Sequence, residues 1–154
     1  MRATLAALAA CFALASAACG GDGDDGGDAE FLVQVNAVCA DYGPKLALIP
    51  PPAEDPDEWA AIGADMADLL EASVNDLRLL EPPASLDEEY GDWLALRGEM
   101  TTAMRDVQTA GGLHDEAGIA AGLQRIESLM AEADPLAEEL GFADCTPTGV
   151  TTAR

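Results

Sequence analysis

Cys11, Cys19, Cys39, Cys145 and the single histidine, His114, are the side chains of this 154-residue chain best suited to nucleophilic, redox or metal chemistry. Thiolate metal sites need paired ligands, yet no Cys-x-x-Cys pair exists and only His114 could join one. A bundle could hold haem or two irons, but there is no Cys-x-x-Cys-His run and no Glu-x-x-His. Met100 and Met104, at helical spacing, read as core rather than as axial ligands. Nucleophilic catalysis lacks its parts as well. There is no Gly-x-Ser-x-Gly elbow, no Ser-x-x-Lys motif and no phosphate loop, and a Ser-His-Asp triad would have to use His114. Asp57-Glu58 and Asp87-Glu88-Glu89 fall in the first turns of expected helices, where acids complement the helix dipole. Acid–base catalysis would need one of them in an apolar pocket to raise its pKa. Gly20-Gly21-Asp22-Gly23-Asp24-Asp25 matches the opening of a calcium-binding repeat, but such repeats bind when stacked and only one copy is present. An EF-hand starting at Asp22 would need Glu where Val33 stands. The expectation is therefore no catalytic residue, no metal, no cofactor and no enzyme.

The N-terminus carries a different kind of chemistry. Arg2 precedes an alanine-rich apolar run, Ala3 to Ala18, followed by Cys19 and a glycine–aspartate stretch. Charge, apolar core and small-residue site, in that order, are what export machinery reads. The run is shorter than the roughly 20 strongly apolar residues of a membrane span. The segment resembles a bacterial lipoprotein signal: Ala17-Ala18-Cys19 fills the last three lipobox positions, with Ser16 in the first. Leu8-Ala9-Ala10-Cys11 also fits that pattern but leaves too short an apolar core before the cut. The resemblance implies removal of residues 1–18, acylation of Cys19 (palmitate among the acyl chains) and anchoring to the outer face of the cell membrane. The alternative is ordinary cleavage after Ala15-Ser16-Ala17 and secretion.

Acidic residues outnumber basic ones 29 to 7, for a net charge of −22, and all the acids follow Cys19. Such a surface repels phosphate backbones, which excludes nucleic acid. It is repelled by anionic lipid too, so a lipid anchor rather than a basic patch must hold the protein at a membrane. With Cys11 removed and Cys19 acylated, Cys39 and Cys145 remain as one pair in an oxidising compartment, which predicts a disulfide. Closing a loop of roughly 100 residues is worth about 4–5 kcal/mol in the chain-entropy model.

The elements that must position these residues are helical. Phe31, Val35, Val38, Tyr42, Leu46 and Ile49 make one apolar stripe, with Gly43-Pro44 predicting a kink or break and Pro50-Pro51-Pro52 an end. A second helix starts at Asp55 as N-cap with Pro56 next, carries Trp59, Ile62, Met66, Leu69, Leu70, Val74, Leu77 and Leu80 inward, and stops at Pro82-Pro83. A third opens on a Ser85/Glu88 capping box, buries Leu86, Tyr90, Trp93, Leu94, Met100, Met104 and Val107, and breaks at Gly111-Gly112. A fourth runs from about Asp115 with Ile119, Leu123, Ile126, Met130 and Ala133 inward. Asp134-Pro135 reads as a fresh cap for a short last turn ended by Gly141.

Short connections imply antiparallel neighbours, so the expected fold is all-α: an up-down-up-down four-helix bundle with a kinked first helix and one disulfide. Expected boundaries are a signal peptide at 1–18, a disordered tether at 19–29, the bundle at 30–146 and a disordered tail at 147–154.

A Cys in the first helix, Pro-Pro breaks and the closing Leu140-Gly141-Phe142-Ala143-Asp144-Cys145 resemble small secreted lipoproteins of actinobacteria, which are all-helical with one disulfide. That resemblance implies fold and address but no activity. The expected function is a monomeric, non-catalytic binding or structural module whose partner is another envelope protein. The alternative is a small-molecule or cation carrier, with a ligand between helices near Trp59, Tyr90 and Trp93 or on the carboxylate surface.

Overall fold

The computed structural model describes residues 25–50 and 55–146. The signal segment, Cys11, Cys19 and the tail lie outside the described residues. Four helices follow in order: α1 (Asp25–Ala47), α2 (Pro56–Leu77), α3 (Asp87–Gly112) and α4 (Glu116–Glu139), then a 3-10 turn, Ala143–Cys145. No strand occurs among the described residues. The bundle is all-helical and closed by one disulfide, Cys39–Cys145, with an S–S distance of 2.04 Å across a sequence separation of 106.

Local chemistry sets several of the helix ends. Asp55 caps α2 by accepting from the Asp57 N–H at 3.0 Å, with Pro56 in the first helical position. Asp115 caps α4 by accepting from the Gly118 N–H at 3.0 Å. Each satisfies a backbone donor that the helix cannot. At the other end of α4, Gly141 adopts φ 78°. The Phe142 N–H bonds to the Ala137 carbonyl and the Gly141 N–H to that of Glu138, which is a Schellman ending.

Three sequence expectations are corrected. Ser85 does not cap α3: a turn from Pro83 to Leu86 delays the helix to Asp87, and the Ser85 hydroxyl donates instead to Asp28 of α1 at 2.8 Å. Gly111-Gly112, expected to end α3, are its last two residues. The left-handed residue of that ending lies two positions past Gly112, at His114 with φ 55°. Pro135 starts no new helix: α4 runs through it, held on both sides by the buried Ala133 and Ala137. Residues 25–29, assigned from sequence to the tether, are the first turn of α1, which continues past Gly43-Pro44 to Ala47.

Close approach of helices explains the glycines. A Cβ on Gly111 would lie 2.6 Å from the Ala60 nitrogen of α2, and one on Gly63 would lie 2.9 Å from the Gln108 backbone of α3. Only a residue without a side chain lets the two backbones meet there. Between α3 and α4, a Cβ on Gly122 would instead meet the Val107 side chain, at 2.5 Å from its Cγ2.

The core has two parts. One joins Phe31, Val35 and Cys39 of α1 to Leu77, Tyr90, Trp93, Met100, Leu129, Ala133 and Phe142. The other packs Ala67, Leu70, Met104, Val107, Ala110 and Ile119, with Leu46, Trp59 and Leu123 partly buried against it. Phe142, beyond the last long helix, is wholly buried and stands 5.0 Å from the Trp93 ring, 5.9 Å from Tyr90 and 6.3 Å from Phe31. Aromatic pairs at such separations add about 0.5–1.5 kcal/mol each beyond the area they bury.

Candidate functional site

Cys39 and Cys145, expected to pair, are joined, and both are buried. A polar clamp stands beside them that sequence reasoning missed. Asn36, one turn before Cys39, donates to the Leu32 carbonyl at 3.0 Å and to the Gly141 carbonyl at 3.1 Å. Its oxygen accepts from the Asp144 N–H at 2.9 Å. One amide thus ties α1 to the turn that carries Cys145. The only signal in the sequence was an Asn three residues from a Cys on the same helical face.

Trp59, Tyr90 and Trp93, the residues expected to flank an interior ligand, are not brought together. Tyr90 and Trp93 stack at 6.0 Å in the first part of the core, 2% and 1% exposed. Trp59 packs against the second part. The Tyr90 hydroxyl donates to the Leu77 carbonyl at 2.8 Å, and burial pushes its pKa up to about 12. Both aromatic residues are therefore consumed by packing and by one satisfied hydrogen bond.

Charged groups distribute over the surface rather than converge. Arg105 of α3 reaches Asp68 at 2.6 Å and Glu71 at 2.8 Å on α2. Arg125 meets Glu99 at 3.1 Å, and Lys45 meets Asp41 at 2.6 Å. His114 lies 3.3 Å from Asp57 with both side chains exposed. Tyr42 donates to Asp76 at 2.7 Å, and that bond holds its phenol above the ordinary range. Arg97 is the exception to this exposed pattern. Its guanidinium lies 5.6 Å from the Trp93 ring centre and its Nε is buried without a hydrogen-bond partner. Burial lowers its pKa while the charge of Asp134 opposes the change. Burial likewise raises the Asp134 carboxyl, with Arg97 opposing. Asp87, Glu88 and Glu89 stay exposed in the first turn of α3. Among the described residues no group of three or more His, Cys, Asp or Glu is placed to hold a metal ion.

Hollows open at the surface among the described residues. The first, about 300 Å³, lies between α2 and α3 and is lined by Glu71, Val74, Arg78, Gly98, Thr101, Thr102 and Arg105. Thr101 and Thr102 spend their hydroxyl protons on the carbonyls of Arg97 and Gly98, and Arg105 is held by two carboxylates. The second, about 190 Å³, lies between the first turns of α2 and α4 and is lined by Pro56, Trp59, Glu116, Ile119, Ala120 and Leu123. Neither includes Tyr90 or Trp93.

No family model, no curated protein and no solved structure matches the chain. Among the described residues, no helix is long and apolar enough to cross a membrane.

Proposed function

We propose that this chain is a lipid-anchored extracytoplasmic helical module that works by binding a protein partner, not by catalysis. Its signal occupies residues 1–18, and Cys19 carries the lipid on the outer face of the cell membrane. We take the body to be a monomer and, in keeping with the resemblance above, kin in address to small actinobacterial lipoproteins. The observation that carries the binding role is the full packing of Tyr90 and Trp93 around Phe142. The aromatic surface that a carrier would offer its ligand is spent on the core, which leaves recognition to the outside of the molecule.

We propose an up-down-up-down, antiparallel order for the helices, with α1 bent at Gly43-Pro44. Supporting the order, descending positions on α3 meet ascending ones on α2: Gly111 against Ala60, Gln108 against Gly63, Arg105 against Asp68 and Tyr90 against Leu77. The same inversion holds where Val107 meets Gly122 and Glu99 meets Arg125. Supporting the bend, Pro44 removes one backbone donor from the interior of α1.

The anchor is tested by Cys19→Ala. The substituted protein is expected to appear in the medium on fractionation, whereas the parent stays with membranes. Continued membrane association of the variant would overturn the proposal.

A further inference from the structure

We propose that the hollow between the first turns of α2 and α4 docks a basic segment of another extracytoplasmic protein, taking one large apolar side chain such as Leu or Phe. This rests on the partner-binding reading above and names the surface and the chemistry of what it receives.

The floor is apolar, formed by Pro56, Trp59, Ile119, Ala120 and Leu123, and about 190 Å³ suits a single large side chain rather than a helix or a cofactor. Trp59 is only partly buried, so part of its ring remains available. Interfaces concentrate their energy in such aromatic pockets filled by one side chain of the partner.

Carboxylates surround the floor. Asp55 and Asp57 stand in the α2 start, Asp115 and Glu116 in the α4 start, and all four are exposed. The free N–H groups that make a helix start attractive to anions are partly taken here by Asp55 and Asp115 themselves. An anionic ligand is thereby disfavoured, and a cationic rim on the partner is favoured. The net charge of −22 sharpens the choice: it repels a second copy of the same chain and draws in a basic partner.

A photo-crosslinking amino acid such as benzoylphenylalanine, placed at the exposed Gln124 one turn beyond Ala120, tests this in the living cell, with Val33 and Ala95 as control positions. The expected result is an adduct from position 124 whose peptide, read by mass spectrometry, carries Leu or Phe within a few residues of Lys or Arg. Glu116→Lys, an exposed change, should lower its yield at least fivefold while the helical circular dichroism of the folded protein is retained. An unchanged yield overturns the charge argument and with it the proposal. So does an adduct with an acidic segment, a second copy, or residues 51–54 or 147–154 of the same chain. Adducts from Val33 or Ala95 without one from position 124 remove the hollow and leave partner binding standing. No adduct from any position removes both.

Discussion

His114 and Gly141 occupy the same place in two helix endings. After α3, the Asp115 N–H bonds to the Ala110 carbonyl and the His114 N–H to that of Gly111; after α4, Phe142 and Gly141 repeat the pattern one helix later. Both pivots are left-handed, at φ 55° and 78°. A residue with a Cβ loses about 1–2 kcal/mol there, and glycine loses none of it. The contact between His114 and Asp57 is largely exposed and recovers little. His114→Gly should therefore raise stability in urea by about 1 kcal/mol, and Gly141→Ala should lower it by a similar amount. An unfolding midpoint that falls for His114→Gly would show that the imidazole matters more than the backbone.

At the scale of elements, the two glycines ending α3 have opposite characters. Gly111 faces the α2 backbone, whereas a Cβ on Gly112 would meet nothing within 4 Å. Gly111→Ala is expected to cost about 1–3 kcal/mol by forcing α2 and α3 apart. Gly112→Ala should gain up to about 1 kcal/mol through helix propensity. Equal effects in thermal unfolding of the two variants would contradict the close approach. This contrast also marks what the chain shows without a structure. Asp55 was legible as a cap because a cap is settled within four residues. The Cys39–Cys145 pairing was legible because the export reading leaves two thiols. The end of α3 at Gly111-Gly112 was legible too, but not why Gly111 must lack a side chain, because its neighbour on α2 is some fifty residues away. Ser85 looked like a cap because nothing local announces Asp28. Pro135 looked like a new start because its continuation depends on Ala133 and Ala137 being packed. In the candidate site the types were right and the company was wrong: Trp59 and Trp93 share a helical pattern but face different parts of the core.

At the scale of the whole molecule, charge governs the response to pH. The Asp134 carboxyl is raised by burial, with the Arg97 charge opposing. A carboxyl raised in the folded state binds its proton more tightly there than in the unfolded chain. Its contribution is complete below the unfolded value and is lost as pH rises through the folded one. Lowering pH also relaxes the repulsion among the excess carboxylates. The thermal midpoint should thus climb as pH falls from neutral into the ordinary carboxylate range, and Asp134→Asn should flatten that slope. A midpoint that drops over this interval would contradict the assignment.

The sulfur bridge has a mechanical corollary. Tension applied between residue 25 and residue 146 runs along α1 to Cys39, crosses to Cys145 and leaves by Thr146. The whole of α2, α3 and α4 hangs outside that load path. Stretching the ends can pay out roughly 60 Å of chain instead of the roughly 400 Å that an unbridged segment of this length would yield. A body tugged from the N-terminal side would surrender part of its first helix while the other three stay off the rope.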